Sequence, residues 1–375
     1  MNNKECPVCS SSSLDIADIS LDGSVTSDGR YIGQPAMNVY CGHCGYIFVH
    51  EQNRPAYEEF YARDYNFLMQ SESLETVNMT SAQKIRNSEY LAGFFSEFVQ
   101  NIDDRTLFDI GSGKGNFLDA FNQHFPKVGI YAMEPSGAYE VLRTKSFLKK
   151  HYNAFFEADG FSGQQFDYIS LIGVLEHVAD TVSFLKSISR IMHSGSCLLL
   201  QVPNFRNNKY DLLVLDHLSK FTPESIRNVF SAAGFKVVKE SVQQTVSMEY
   251  VVVKYPDCRI MPFQVAPDVA YAAGFLKTVI RNAARIDSEF AIYGQGIVAQ
   301  YLLGCGIFRR EQIKAVIDDN HLCYGHLWNG FVMIVGFEEF ESKHRTDVIF
   351  LAMNPCYHRR VMQRLGSFKV YGLEQ

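Results

Sequence analysis

A short glycine-rich stretch directly after an apolar run constrains the fold of this chain more than any other feature. The run Phe108-Asp109-Ile110 is followed by Gly111-Ser112-Gly113-Lys114-Gly115, and an amphipathic stretch begins immediately afterwards. Glycine allows a sharp backbone turn and lets a ligand approach without a Cβ in the way. A strand, a glycine turn and a helix in this order are typical of α/β folds that bind a ligand at the turn.

The sequence on both sides of this turn alternates strand-like and helix-like patterns. Such alternation predicts a parallel sheet with helices on both faces. Thr222 and Gly234 are suited to cap the last of the helices at its two ends. The predicted strands are 107–110, 129–133, 168–172 and 198–202, the predicted helices are 115–125, 181–192 and 223–233, and a hairpin of 235–242 and 248–255 is predicted to complete the sheet edge.

The chain has 375 residues, which exceeds one ordinary core at roughly 150 residues per domain. We predict three domains. Residues 1–75 are polar and contain two cysteine pairs, whereas residues 76–262 contain the glycine turn. Residues 263–375 begin with a helical run to 285 and repeat the strand, glycine turn and helix order at 290–303, with further strands at 313–318 and 347–352.

The formal net charge of −6 and the lack of any Lys/Arg run argue against a nucleic-acid or anionic-membrane partner. No apolar segment approaches the ~20 residues of a membrane span, and the N-terminus lacks a signal-peptide pattern. We therefore expect a cytoplasmic protein, in which cysteines act as thiols or metal ligands rather than as disulfides.

Two Cys-x-x-Cys pairs, Cys6/Cys9 and Cys41/Cys44, lie within the first 44 residues. Four thiolates in such pairs form the closed tetrahedral site that Zn²⁺ prefers in structural roles. A redox pair would not require a second Cys-x-x-Cys. His43, inside the second pair, is the only local competitor as a ligand. We predict a structural zinc bound by all four cysteines.

The strand after the glycine turn ends in Met133-Glu134-Pro135, about 20 residues beyond the glycines. A carboxylate at this offset is placed to bind both hydroxyls of a ribose. Enzymes that bind dinucleotides share this arrangement, so the two features leave the ligand undecided.

A third stretch, Val174-Leu175-Glu176-His177-Val178 after the strand at 168–172, resembles the fourth-strand motif of class I S-adenosylmethionine (SAM)-dependent methyltransferases. The glycine turn and the acidic strand end are similar to that family in the same order. The resemblance implies that Glu134 contacts the ribose, that residues 156–159 lie near the adenine and that Glu176 and His177 shape the floor of the site. The implied SAM-binding residues are Asp109, Gly111, Ser112, Gly113, Gly115, Glu134, Pro135, Phe156, Asp159, Glu176 and His177.

The combination of an N-terminal zinc ribbon, this core and a second Rossmann-like C-terminal domain resembles the nucleotide-sugar C-methyltransferases. Short stretches at 64–67, 71–73, 216–219, 293–296 and 316–320 carry this resemblance. It implies methylation of a nucleotide-linked 4-keto-deoxysugar, joined to thymidine or guanosine diphosphate, for an antibiotic or a surface polysaccharide. Lys114 and Asp216 depart from the family, which usually has an Asn-Asp pair in the glycine loop and a glutamate before the histidine.

In a 4-ketosugar the ketone acidifies the proton at C3, so that a base can form an enolate whose carbon attacks the SAM methyl. Histidine suits this role because its ordinary pKa of about 6.5 leaves it neutral at cellular pH. We predict His217 as the base, Asp216 as a residue that either orients the imidazole or contacts the sugar, and Tyr65 as a donor to the enolate oxygen. Alternatively, His217 is a structural residue at the entry of the helix after Thr222.

Three other interpretations remain open. An O- or N-methyltransferase of a sugar or small metabolite would share every cofactor residue. A scaffold protein with a degenerate core would not need the intact glycines and Glu134. The turn Gly294-Gln295-Gly296 with Asp318 has dinucleotide spacing, although the resemblance implies no redox cofactor there. We expect a monomer or a small homo-oligomer.

Overall fold

The computed structural model describes residues 5–17, 19, 21–50, 60–61, 65, 77–79, 84–242 and 245–373. The strands are β1 Leu14–Ala17, β2 Ser24–Val25, β3 Tyr31–Ile32, β4 Asn38–Cys41, β5 Ile47–Val49, β6 Val77–Met79, β7 Lys84–Arg86, β8 Thr106–Ile110, β9 Gly129–Met133, β10 Leu148–Tyr152, β11 Phe166–Ile172, β12 Met192–Pro203, β13 Ser219–Lys220, β14 Phe235–Ser241, β15 Ser247–Lys254, β16 Phe290–Tyr293, β17 Ile313–Ile317, β18 Leu327–Trp328, β19 Val332–Val335, β20 Val348–Leu351 and β21 Lys369–Tyr371. The helices are α1 Asn87–Phe95, α2 Asn116–His124, α3 Tyr139–Leu142, α4 Thr181–Arg190, α5 Pro223–Ala233, α6 Ala266–Ala283, α7 Ile297–Gly304, α8 Phe337–Glu339 and α9 His358–Met362.

A seven-stranded mixed sheet in the order β10-β9-β8-β11-β12-β15-β14 forms the centre of the molecule. Strands β10, β9, β8, β11 and β12 run parallel, whereas β15 and β14 are the predicted hairpin and run antiparallel to their neighbours. Numbered within this sheet, the order is 3-2-1-4-5-7-6. The order therefore reverses between β8 and β11, which is where open α/β sheets bind their ligands.

The four parallel strands predicted around the glycine turn are confirmed, with ends shifted by a few residues. Edge strand β10 was not predicted, because the segment Leu148–Tyr152 is largely polar and only partly buried. Helix α5 begins and ends as predicted. The Thr222 side chain accepts a hydrogen bond from the amide of Ser225, and Gly234 ends the helix in the left-handed conformation, φ 81°.

The N-terminal segment is joined to the central part of the chain by backbone pairing. Its sheet has the order β1-β4-β5-β13, and the last of these strands, Ser219–Lys220, belongs to the loop before α5. Helix α5 adds a second link, since the Asn228 side chain donates to the carbonyl of Cys44 at 2.9 Å. The two parts of the chain therefore form one continuous hydrogen-bonded structure.

The C-terminal part contains a six-stranded sheet in the order β18-β19-β17-β16-β20-β21, parallel except for β18. Its core is shared with the rest of the chain. Residues of the N-terminal segment such as Val25 and Ile47, and residues such as Leu213 between β12 and β13, pack in the same apolar cluster as α6 and β16.

The predicted glycine turn of the C-terminal sheet serves close packing. A Cβ on Gly296 would lie 1.8 Å from the carbonyl oxygen of Ala352. Asp318, which has the dinucleotide offset, accepts hydrogen bonds from the Gln295 side chain and the Asn320 amide. In the described part of the chain, no helix combines the length and the apolar character needed to cross a membrane.

We predict that Gly296→Ala lowers the free energy of unfolding by at least the ~1–3 kcal/mol typical of overpacking, because the added carbon meets backbone. Gly274→Ala in α6 is the matched control, since nothing lies within 4 Å of its added Cβ. Alanine is favoured over glycine in a helix by roughly 0.5–1 kcal/mol, so the control should be as stable as the natural chain or more so. Urea unfolding measures both, and equal stabilities would contradict the packing role.

Candidate active site

The loop after β8 is held against the end of β9 by the main chain. The amides of Gly111 and Ser112 both donate to the carbonyl of Met133, at 2.8 and 2.9 Å. Gly111, Gly113 and Gly115 have φ angles of 75°, 53° and 79°, which are left-handed values that favour glycine. Helix α2 begins directly after this loop, so the sequence folds locally as predicted.

Glu134, at the end of β9, spans the loop with its carboxylate. One oxygen accepts from the amide of Gly113 at 2.7 Å, and the other accepts from the amide of Ser136 at 2.8 Å. A carboxylate oxygen has a second lone pair, so each oxygen can still accept a hydrogen bond from a ligand hydroxyl. The side chain is thus fixed in position before any ligand binds.

A cavity of about 480 Å³ opens at this loop, between the carboxyl ends of β8 and β11. Nine of the predicted site residues line it: Tyr65, Asp109, Gly111, Ser112, Gly113, Glu134, Pro135, Phe156 and His177. Five others do not: Gly115, Asp159, Glu176, Asp216 and His217. Tyr61, which the sequence analysis did not identify, also lines the cavity.

Asp159 was predicted to lie near the adenine, but its side chain points elsewhere. Its carboxylate is 85% exposed and forms an ion pair with Arg190 at 2.5 Å. The neighbouring Phe156 does line the cavity, where its ring stacks on Phe161 with an interplanar angle of 19°. The aromatic residue, rather than the carboxylate, is therefore the member of this segment that can contact a ligand.

Asp109 places a carboxyl group in the floor of the cavity. Burial raises its pKa to about 6, and this effect exceeds the opposing effect of the hydrogen bonds from Ser170 and Ser112. The Ser170 hydroxyl donates to Oδ1 at 2.6 Å. A cationic group of a ligand beside this carboxyl would favour its ionised form.

The partner of His217 is Asp211, not the predicted Asp216. Asp211 Oδ1 lies 2.5 Å from Nδ1 of His217, and the Asp211 side chain is fully buried. Burial lowers the pKa of His217. The charge and hydrogen bond of Asp211 raise it, with smaller contributions from Asp216 and Glu176, and together they outweigh burial, so the net shift of the pKa is upward. Sequence reasoning missed Asp211, which lies six residues before the histidine.

Asp216 has a different set of partners. Its carboxylate accepts from the amide and hydroxyl of Ser27, at 2.7 and 2.6 Å, and from the hydroxyl of Tyr61 at 2.8 Å. Burial raises its pKa, but His177, His217 and these donors lower it more, and the net direction is downward. Asp216 therefore joins the N-terminal segment to the site and does not orient His217.

His177 is the histidine that reaches the cavity. Its Nδ1 lies 2.9 Å from the carbonyl of Asp216 and 2.5 Å from the hydroxyl of Tyr61. Because a carbonyl can only accept, Nδ1 carries the proton of the neutral ring. Burial lowers the pKa of His177 to about 4, and its ring packs edge-on against that of His217, with centroids 4.9 Å apart.

Tyr65 lies beside this group, with its ring centroid 4.8 Å from that of Tyr61. Burial raises its pKa well above the ordinary value, so the hydroxyl keeps its proton and can donate it in a hydrogen bond. The predicted family stretches 64–67 and 71–73 lie outside the described residues, except for Tyr65.

The four predicted cysteine ligands converge in the N-terminal segment. The Sγ atoms of Cys6 and Cys44 are 3.6 Å apart, as are those of Cys9 and Cys41. All four ligand atoms lie within 4.8 Å of one another. His43, the competing ligand, is exposed and does not belong to this group.

The two Cys-x-x-Cys turns have matching backbones. The amide of Val8 points at the Cys6 sulfur and that of His43 at the Cys41 sulfur, each at 3.4 Å. The residue after each second cysteine is left-handed, Ser10 with φ 56° and Gly45 with φ 76°. Amides directed at sulfur favour the thiolate form, which is the form that binds a metal.

The sheet order, the glycine loop, and the acidic strand end at the switch point are consistent with a class I methyltransferase core. Residues 82–240 match the model of a protein family described as a methyltransferase domain. The match confirms the prediction that this domain is a methyltransferase. No curated protein matched the chain in a sequence comparison.

Solved structures similar to the chain include the mitomycin 7-O-methyltransferase MmcR, at 18% identity and a TM-score of 0.37, covering 44% of this chain and 54% of that one. A SAM-dependent methyltransferase from Clostridium acetobutylicum ATCC 824 is 13% identical with a TM-score of 0.36, covering 45% of this chain and 90% of that one. The chain thus spans about half the length of the mitomycin enzyme.

The raised pKa of Asp109 predicts how its substitution affects stability. Between about pH 4 and pH 6 the folded protein binds more protons at this site than the unfolded chain does, so this group lowers the free energy of unfolding as pH rises. We predict that Asp109→Asn, compared with the natural chain, gains on the order of 1–3 kcal/mol in relative stability from pH 4 to pH 7.

Urea unfolding at the two pH values measures this difference. Ser170→Ala removes the hydroxyl that donates to Asp109 and should raise the pKa of this carboxyl further. In the Ser170→Ala background, the change with pH in the stability difference between the chain with Asp109 and its Asp109→Asn derivative should therefore be larger. A gap that stays constant with pH would show that Asp109 ionises normally in the folded protein.

Proposed function

We propose that this protein is a SAM-dependent C-methyltransferase that methylates C3 of a nucleotide-linked 4-keto-deoxysugar through an enolate, in branched-sugar biosynthesis for a surface polysaccharide or an antibiotic. The observation that carries the proposal is the cavity itself. A loop of cofactor-binding type with Glu134 lines this cavity, and so does a group formed by His177, Tyr61 and Tyr65. In this group Tyr61 is hydrogen-bonded to His177, and its ring packs against that of Tyr65. The base assigned below, His217, lies directly behind this group, with its ring packed edge-on against that of His177.

The residues of the cavity fit SAM. Both Glu134 oxygens are held by backbone amides and keep free lone pairs for ribose hydroxyls. Asp109 offers a carboxyl group to a cationic amine, and Phe156 offers an aromatic ring to a purine. When bound, SAM supplies an electrophilic methyl group on a sulfonium.

We assign the base to His217. Asp211 accepts a hydrogen bond from Nδ1–H of the ring and stabilises the imidazolium that forms when Nε2 takes the proton from C3. His217 lies behind His177, so its Nε2 is expected to reach the sugar through one water or after a small shift of the neighbouring ring. Tyr65, with its proton retained, donates to the oxygen on which the enolate charge develops.

Asp216 takes a positioning role in this proposal. Through Tyr61 and its own carbonyl it fixes His177 as the tautomer with the proton on Nδ1. The ring of His177 then separates His217 from the cofactor end of the cavity. This arrangement keeps the proton-accepting group apart from the carboxyl of Asp109.

The domain organisation supports a large acceptor. We propose a zinc ribbon at residues 1–75, the methyltransferase domain at 76–262 and a Rossmann-like domain at 263–375. The loop that follows β20 contacts the loop after β12 through Asn354 and Asn208, at 2.9 Å. A thymidine or guanosine diphosphate group on the sugar would be bound between these two parts, close to the carboxyl edge of the central sheet.

We propose that the four cysteines bind a structural Zn²⁺. Zn–S bonds of about 2.3 Å in a tetrahedron place the sulfurs roughly 3.8 Å apart, close to the 3.6 Å found for the pairs Cys6/Cys44 and Cys9/Cys41. Four thiolates leave no open position for water, so this metal takes no part in methyl transfer.

Substitution of a zinc ligand should release the metal and loosen the N-terminal segment. We predict that Cys9→Ser loses the tightly held zinc equivalent, measured by plasma mass spectrometry after dialysis, and melts at a lower temperature. Cys258→Ser is the control, because Cys258 lies outside the cluster and serine keeps its hydrogen bond to the carbonyl of Phe235. Zinc content unchanged in the Cys9 variant would refute the assignment.

Incubation with SAM and a panel of nucleotide 4-ketosugars in deuterated water tests the reaction. We predict a mass gain of one methyl group and solvent exchange at C3. His217→Asn should slow both by about 10²- to 10⁴-fold, with SAM affinity unchanged in a calorimetric titration.

His193→Asn is the matched control, because His193 forms a similar pair with Asp167 away from the cavity. Its exchange and methylation rates should equal those of the natural chain. Methyl gain without exchange at carbon would favour the alternative function, an O- or N-methyltransferase. Normal rates in the His217 variant would exclude His217 as the base.

A further inference from the structure

Three side chains form a second group with metal-ligand character, which we call the imidazole cluster: His177 at the cavity wall, with Glu176 and His217 behind it. A ligand atom of each lies within 4.8 Å of the corresponding atom of the other two. Their side chains are almost fully buried, at 4% exposure of the residue for Glu176, and 9% and 12% of the side chain for the two histidines. None of them belongs to the cysteine group.

On both imidazoles of the cluster, Nδ1 is the nitrogen that a neighbouring group occupies. Nδ1 of His217 is paired with Asp211, and Nδ1 of His177 is paired with the carbonyl of Asp216 and with Tyr61. Within the described part of the chain, no hydrogen bond reaches Nε2 of either ring. A carboxylate or carbonyl on one ring nitrogen fixes the tautomer that leaves the other nitrogen free to bind a metal.

The third member supplies an oxygen with no partner. Glu176 Oε2 is buried and has no hydrogen bond among the described residues. A buried oxygen of this kind costs about 1–3 kcal/mol unless something binds it. Asp211 Oδ2, beside the cluster, is also buried and has no hydrogen bond among the described residues.

Acidic side chains and one lysine surround the cluster. Three buried carboxylates, Glu176, Asp211 and Asp216, interact with one another and with the histidines. The buried Lys220 interacts with Asp211 and Asp216, and its ammonium group donates to the carbonyls of Val214 and His217. A cation bound among these carboxyl groups would favour their ionised forms.

We propose that the imidazole cluster binds a divalent transition-metal cation through Nε2 of both histidines and a Glu176 oxygen. Two imidazoles and one carboxylate with open positions suit Fe²⁺, Mn²⁺, Co²⁺ or Zn²⁺. Bonds of about 2.1 Å place ligand atoms roughly 3–3.5 Å apart, so the side chains close in slightly on the ion. The open positions are directed to ligand oxygens or water.

A cation at this site would affect the proposed base, and this one consequence rests on the proposed function. A coordinated Nε2 has no lone pair to accept a proton, so the cation and the C3 proton compete for His217. The cation-loaded enzyme is expected to exchange the C3 hydrogen at least 10-fold more slowly than the cation-free enzyme. The metal site therefore regulates the base.

Manganese is the probe for the full chain with zinc already bound, because thiolates hold Mn²⁺ poorly. Electron paramagnetic resonance of free Mn²⁺ during a titration gives the stoichiometry and affinity. We expect one Mn²⁺ per chain. Affinity should fall at least 10-fold in Glu176→Gln and in His217→Gln, and 10- to 100-fold in Asp211→Asn, which loses only the orienting carboxylate.

His193→Gln is the control and should bind Mn²⁺ as the natural chain does. Co²⁺ gives an independent readout, since a site with nitrogen and oxygen ligands lacks the sulfur-to-cobalt absorption of a cysteine site. Circular dichroism checks that each variant is folded. If Glu176→Gln and His217→Gln do not fold, the loss of affinity in Asp211→Asn provides the test. Absence of Mn²⁺ and Co²⁺ binding by the folded natural chain would overturn the proposal, as would binding that survives substitution.

Failure of this proposal is distinct from failure of the proposed function. Cation binding is measured without SAM or sugar, so its outcome does not depend on whether the enzyme exchanges the C3 hydrogen. Exchange that is absent with and without the cation would contradict the sugar C-methyltransferase while leaving the metal site intact.

Discussion

The candidate site depends on the buried carboxylate of Asp216, which joins three distant parts of the chain. It receives two hydrogen bonds from Ser27 in the N-terminal segment and one from Tyr61, and its own carbonyl is bound to His177. A carboxylate without solvent contact is tolerated only when donors surround it. The donors here come from segments far apart in sequence, so the cavity acquires its geometry only when those segments are packed together.

Features of the site that depend on local sequence were predictable, and features that depend on packing were not. The glycine loop, the caps of α5 and the position of Glu134 follow from neighbouring residues. The pairing of His217 with Asp211 instead of Asp216 does not. Consecutive side chains point in different directions, so the residue next to His217 is poorly placed to hold its ring. Tyr61 gave no signal, since only the fold brings it to His177.

The two cysteine turns could be recognised as a group of metal ligands from the sequence, whereas the imidazole cluster could not. Spacing alone identifies the four cysteines, because both halves of that site are short turns with the same backbone. Glu176 and His177 precede His217 by about 40 residues and follow no spacing rule. What distinguishes them is an oxygen without a partner and two rings whose Nδ1 atoms are occupied, which only coordinates can reveal.

Strand β13 is two residues long, yet it is the edge at which the sheet of the cysteine-bearing segment is completed. The sheet of this segment includes a strand from another part of the chain, so the segment is not a self-contained structural unit. Transplanting residues 1–50 onto another methyltransferase would leave one edge of β5 without its partner strand, and deleting them would leave Asp216 without the two donors on Ser27. The N-terminal segment and the core therefore depend on each other, one for a strand and the other for the donors to a buried carboxylate.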